Sequence, residues 1–145
     1  EEKKKDPLML VQYLIENCID QAVIPPPYLK VIPVENIRPL KKMISAGEAA
    51  ILEKAIAFSR SGGLFFNGYG PTESSICAAI FNMNKEAAIT IDSVPIGRPI
   101  ANTRIYILDK YDALLPLNIP GEICIAGRGL ARGYLNQPSL TNDKF

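Results

Sequence analysis

The chain has 145 residues, 48% hydrophobic and 21% charged, with 16 Lys and Arg against 15 Asp and Glu. This composition suits one globular domain or two small ones, and a formal charge of +1 gives no electrostatic footprint for nucleic acid or an anionic membrane. The absence of His and Trp excludes an imidazole base and any His-ligated metal, and leaves the chemistry to carboxylates, hydroxyls, backbone amides or a bound cation. Cys18, Cys77 and Cys124 lie among apolar neighbours without zinc spacing and read as small buried hydrophobes of a reducing compartment. Glu1-Glu2-Lys3-Lys4-Lys5 precedes no long apolar run, so neither a signal peptide nor a membrane span is expected, and the expected location is cytoplasmic.

In chain order, Asp6-Pro7 reads as a cap and first helical position, with Leu8, Val11, Ile15 and Cys18, flanked by Leu14 and Ile19, as one apolar stripe; the pattern predicts a helix over 7–19. Ala22 to Ile24 is a short strand ended by Pro25-Pro26-Pro27, which lack ladder donors. Val31 to Leu40 is a connection with at most a short helical turn. Lys42 to Ala46 is a buried strand, 49–61 a helix closed by Gly62-Gly63, and Leu64 to Phe66 a further strand, which together make a parallel βαβ unit. Beyond these, strands are expected over 75–81, 103–108 and 122–126, separated by prolines and glycines that favour an antiparallel sheet or partial barrel. The expected fold is therefore α/β: a parallel βαβ layer over 1–92, followed by a β-rich segment over 93–145.

Directly after the third strand comes Asn67-Gly68-Tyr69-Gly70-Pro71-Thr72-Glu73-Ser74, where ligands bind in an open parallel sheet. Glu73 is the residue suited to Mg²⁺, Thr72 to a phosphate oxygen and Tyr69 to a purine face. The same loop also reads as an ordinary strand-ending turn with an exposed Tyr and Glu. Gly127 to Tyr134 lacks the Lys-Ser/Thr ending of a phosphate loop and reads as structural, with Arg128 and Arg132 solvated or paired. Pro95 to Pro99 reads as a rigid turn.

Asn67 to Ser74 resembles the nucleotide-binding motif of adenylate-forming enzymes, in particular the amino-acid adenylation domains of nonribosomal peptide synthetases. Three further segments agree in order: Ile44 to Ala49, Val94 to Pro99, and Gly121 to Gly127 leading into Gly129 to Leu135. The resemblance implies ATP and Mg²⁺ as cofactors in the intact domain. Asn67 would bind the adenine amino group, Tyr69 would stack on adenine with Gly68 allowing close approach, and Gly47, Glu48 and Ala49 would line its side. Thr72 would touch phosphate and Glu73 would hold the metal, these two being the candidate catalytic residues.

The resemblance also assigns Val23, Ile44, Ala46, Gly68, Ile76 and Cys77 to a substrate pocket. All are apolar or small, which favours an amino acid with a neutral side chain, aromatic or large aliphatic. Val23, Ile44 and Ile76 equally suit a core.

Members of that family are several times longer, with a phosphate loop and a catalytic Lys outside these residues. The implied reaction forms aminoacyl-AMP, then a thioester on the phosphopantetheine of a peptidyl carrier protein. The remaining adenylation subdomains would be partners, and the chain alone is expected to be inactive. Two other readings stand beside this one. The chain could be a non-catalytic excised or swapped substrate-binding subdomain, or a fragment of an acyl- or aryl-CoA ligase.

Overall fold

A computed structural model describes residues 6–84 and 92–145, so the charged run read above for targeting lies outside the described residues. The chain divides into two compact units: Glu1–Tyr69 with Ile80–Arg98, and Gly70–Ala79 with Pro99–Phe145. The expected division cut the chain once; these units interleave, with 70–79 grouped with the chain after 98.

Helix α1 spans Pro7–Glu16, where the Asp6 carboxylate accepts from the Leu8 amide at 2.9 Å and Pro7 supplies the preset first position. It stops three residues short of the expected end. The Asn17 side chain donates to the Tyr13 carbonyl and Cys18 turns to φ 52, which no helix continues. Of the expected stripe, Val11 and the flanking Leu14 and Ile19 pack on the core together with Leu10, while Leu8 and Ile15 are exposed, so the buried face is rotated toward the flank. Cys18 is likewise exposed, because it sits on the surface turn beyond the helix; Cys77 and Cys124 are half-buried and all three are free.

Strand β1 (Gln21–Val23) ends before the prolines, and Pro26 then opens a one-turn helix, α2 (Pro26–Leu29), at a position where its missing N–H costs nothing. After a 3-10 turn at Val34–Asn36 come β2 (Lys42–Ala46), α3 (Leu52–Arg60) and β3 (Leu64–Tyr69). Helix α3 buries Ala55 and Phe58, and the Gly62 and Gly63 amides close it on the Ser59 and Phe58 carbonyls, with Gly62 at φ 94. The βαβ expectation holds: β1, β2 and β3 pair in parallel, with Val23 opposite Ile44 and Ala46 opposite Gly68. Strand β3 runs three residues past its expected end. The pairings Ser45 with Asn67 and Ala46 with Gly68 carry the ladder on, so Asn67, Gly68 and Tyr69 lie in the strand instead of a loop.

Two short strands follow, β4 (Ala79–Asn82) and β5 (Arg98–Pro99), and the sheet order is β1-β2-β3-β4-β5. The expected strand at 75 begins only at 79, because Ser75 (φ 60) and Ile76 (φ 77) occupy the left-handed region that a strand excludes. The stretch 95–99, expected as a turn, ends in β5. Gly97 (φ 85) lies so close to the Ile80 carbonyl that a Cβ would overlap it. The core of the first unit includes Ile24, Leu29, Ile32, Met43, Phe58, Phe65 and Phe81.

In the second unit β6 (Thr103–Leu108) and β7 (Glu122–Gly127) pair antiparallel, as expected, from Thr103 opposite Gly127 to Leu108 opposite Glu122. Helix α4 (Pro138–Lys144) was not legible, since Pro-Ser-Leu-Thr-Asn-Asp-Lys carries no apolar stripe; Pro138 nucleates it at the first turn. Among the described residues no helix is long and apolar enough to cross a membrane.

Candidate functional site

In the first unit the pleat of β2 separates two faces. Met43 and Ser45 point to the buried side, while Lys42, Ile44 and Ala46 alternate to the other and are half-buried. Register partners share a face, so Val23 (beside Ile44) and Gly68 (beside Ala46) lie on this second face too. Four of the six pocket candidates are thus neighbours on one sheet face, with Val23 66% exposed at its edge. Phe66, the register partner of Ile44, and Lys42 belong to the same face. Sequence reasoning missed both, although counting alternate residues of β2 and β3 would have found them.

Asn67 lies on the opposite, buried face with Ser45, Met43 and Phe65. Its Nδ2 donates to the Pro95 carbonyl at 2.8 Å, which fixes the plane of the amide and leaves Oδ1 as an acceptor. Ser45 is fully buried, and its hydroxyl has no partner among the described residues. Tyr69 is half-buried at the end of β3. Beyond β2, Gly47 turns at φ 99 and Gly47, Glu48 and Ala49 are all exposed.

In the second unit Thr72–Ser74 forms one 3-10 turn, with Thr72 exposed and Glu73 half-exposed. Gly70 makes this loop possible, because a Cβ there would lie 2.7 Å from the Ala78 amide. The Gly127–Tyr134 segment grips the turn from three sides. Ala131 N donates to the Glu73 carbonyl at 2.7 Å, the Ser75 hydroxyl donates to the Gly129 carbonyl at 2.7 Å, and the Tyr134 hydroxyl donates to Glu73 Oε1. A Cβ at Gly129 would press on the Ser74 carbonyl at 3.1 Å, so this glycine permits the close approach.

The Tyr134 hydrogen bond, followed by one from Glu73's own backbone, holds the Glu73 carboxyl below its ordinary value of 4.5. The same bond holds the Tyr134 phenol above 10. Sequence reading placed Gly127–Tyr134 as structural; it is the support of Glu73, and no spacing rule joins residues so far apart. Arg128 and Arg132 are exposed. Ile76, 79% exposed, and half-buried Cys77 belong to this unit, whereas the other four pocket candidates belong to the first.

Among the described residues no group of three or more Cys, Asp or Glu could cage a metal. A single carboxylate such as Glu73 instead fits Mg²⁺ that takes its remaining ligands from phosphate and water.

Residues 4–135 match the family described as AMP-binding enzyme. The chain belongs to that family. All four ordered segments of the sequence resemblance fall inside the match. The chain is 44% identical over 133 residues to tyrocidine synthase 1 of Brevibacillus parabrevis, covering 92% of the chain and 12% of that protein. It is 41% identical over 138 residues to bacitracin synthase 3 of Bacillus licheniformis, covering 94% of the chain and 2% of that protein. Among solved structures it superposes with a TM-score of 0.83 and 25% identity on holo-PA1221, an NRPS protein containing adenylation and PCP domains, over 95% of this chain and 25% of that one. The chain therefore spans about an eighth of tyrocidine synthase 1, and the resemblance to peptide-synthetase adenylation domains is borne out.

Proposed function

We propose that these residues are part of an ATP-dependent amino-acid-activating domain. In the intact domain the amino-acid carboxylate attacks the α-phosphorus of ATP, the bond to the bridging oxygen breaks, and aminoacyl-AMP and pyrophosphate result. The phosphopantetheine thiol of a peptidyl carrier protein, losing its proton, then attacks the acyl carbon, the bond to the AMP oxygen breaks, and a thioester and AMP result, in the cytoplasm. The observation that carries this reading is the shared sheet face of Val23, Ile44, Ala46 and Gly68, one residue along β3 from Asn67. It supports an apolar surface for a neutral aromatic or large aliphatic side chain on one face of the sheet, while the Asn67 amide, on the opposite face, keeps one acceptor for a purine.

In this reading Asn67 Oδ1 accepts from the adenine amino group, Tyr69 stacks on the ring, and Gly47, Glu48 and Ala49 line it. Gly68 admits the substrate, Thr72 donates to phosphate and Glu73 holds Mg²⁺; the motif resemblance adds Ile76 and Cys77 to the residues assigned to the substrate. The metal neutralises charge on the phosphate oxygens.

The test is amino-acid-dependent pyrophosphate exchange by the full-length synthetase carrying this chain, wild type against Glu73→Gln and Tyr69→Ala. Glu73→Gln is expected to lose about 10²-fold or more, the scale of removing one stabilising group at a reacting centre, and Tyr69→Ala about 10-fold or more, the scale of one lost base stack. Unchanged nucleotide handling in both would overturn the assignment. Profiling amino acids against plain carboxylic acids separates this reading from an acyl- or aryl-CoA ligase. Because the chain spans 12% of tyrocidine synthase 1, we assign the 145 residues alone a non-catalytic, pocket-shaping role, and tight ATP binding by them would contradict it.

A further inference from the structure

We infer that Tyr134 is a positioning residue for Glu73: its hydroxyl, donating to Oε1, holds the carboxylate in one orientation and leaves the second oxygen to a divalent cation. This rests on the reading of Glu73 as the metal-holding residue.

The hydroxyl is built into place. The Tyr134 amide donates to Thr141 Oγ1 at 2.9 Å, and that hydroxyl donates to the Gln137 carbonyl at 3.0 Å, tying the tyrosine to α4. Phe145 packs edge-on against the Tyr134 ring, with centroids 5.7 Å apart and planes at 77°. Gly133 at φ 127 brings the chain against Thr141, whose Oγ1 would lie 2.8 Å from any Cβ there. The tyrosine is therefore fixed from three directions before it reaches Glu73.

Glu73 is held at its main chain by the Ala131 amide, and the Tyr134 hydroxyl holds the far end of its side chain at Oε1. No other side chain among the described residues hydrogen-bonds that carboxylate. A phenol donating to one oxygen also favours the ionised form, which is the form that binds a cation. A free glutamate on a surface turn would have to lose rotamer freedom each time it took up a metal; here that freedom is already lost. Outer partners of ligating carboxylates are worth about 10- to 100-fold in metal affinity.

The experiment uses the full-length synthetase with Tyr134→Phe, which keeps the ring and its contact with Phe145, and with Glu73→Gln. Two quantities are read: Mn²⁺ binding in the presence of ATP by water-proton relaxation, and the Mg²⁺ concentration giving half-maximal pyrophosphate exchange. Tyr134→Phe is expected to weaken Mn²⁺ binding and raise the Mg²⁺ midpoint about 10- to 100-fold. The KM for the amino acid is expected to stay unchanged and the rate to recover at high Mg²⁺, which a merely structural lesion would not do.

If Glu73→Gln shifts the midpoint and Tyr134→Phe does not, the inference fails while the role of Glu73 stands. If neither shifts it, the metal role of Glu73 fails and the inference with it. Should Tyr134→Phe not fold, 4-fluorophenylalanine at 134, which keeps the ring and fills the hydroxyl's place with no proton to donate, replaces it; the Mg²⁺ midpoint is expected to rise, and an unchanged midpoint would overturn the inference.

Discussion

Asn67 and Pro95, 28 residues apart, are joined by a 2.8 Å hydrogen bond from the Asn67 side-chain amide to the Pro95 carbonyl. Asn67 is buried within β3, and Pro95 lies in the stretch leading to β5. Two of the four ordered sequence segments thus meet through an amide whose other end stays available as an acceptor. The proline-rich stretch is therefore more than a turn, because it sets how the Asn67 amide is presented.

Replacing Asn67 with Leu keeps the approximate volume and deletes the donor. The Pro95 carbonyl belongs to an exposed residue and turns to water, so the loss is the net value of one hydrogen bond, about 1 kcal/mol. Urea unfolding with an unchanged slope and a lowered midpoint checks this; an unaltered midpoint would show that the bond contributes nothing.

Gly97→Ala is expected to destabilise by about 1–3 kcal/mol, because alanine is strained at φ 85 and its Cβ overlaps the Ile80 carbonyl, which is backbone and cannot swing away. Gly62→Ala, at φ 94 but with open space around the added carbon, isolates the dihedral part. Thermal melts of the two variants should rank Gly97→Ala as the more damaging.

The Glu73–Tyr134 bond gives stability a defined dependence on pH. The Glu73 carboxyl is held below its ordinary 4.5, so its contribution is complete above that value and falls away as pH drops through the lowered one. The Tyr134 phenol is held above 10, so its contribution is present below 10 and fades as pH rises through the raised value. Between these limits the bond is intact. Melting temperature against pH should therefore fall less steeply at the acid and alkaline ends for Tyr134→Phe than for wild type, and parallel curves would remove the bond from the account.

Ala46 shares the apolar sheet face with Ile44, Val23 and Gly68, and is the smallest side chain there besides the glycine. Under the proposed pocket, Ala46→Leu fills space a large substrate side chain would use. The ratio of kcat/KM for the preferred large amino acid to that for a small one should drop by at least about tenfold, the scale of a misfitted methylene. A uniform drop across substrates would instead point to a change in folding.

Much of the first unit was readable in the residues. The alternation of Lys42–Ala46, the periodicity before Gly62-Gly63 and the run at Leu64 fix strand, helix and strand, because each pattern has one face to bury and a glycine pair to stop on. The ordered motifs identified the family for a related reason: glycines at close approaches and a lone Glu beside a proline turn admit few substitutes. Other features depended on partners. Strand β3 lengthened because β2 supplied ladder bonds as far as Gly68, and the stripe of α1 rotated because the core met Leu10 and Leu14.

The sequence by itself determined the α/β class and the parallel pairing, since these follow from local periodicity, and its motif resemblance nominated the candidate site residues. Only the tertiary structure decided that the Tyr134 hydroxyl bonds Glu73, that Asn67 answers to Pro95, and that Ile44 stands between Val23 and Phe66 in register. Hydrogen bonds between distant segments and registers between strands are set by how the chain closes on itself, and separation along the chain carries no record of them.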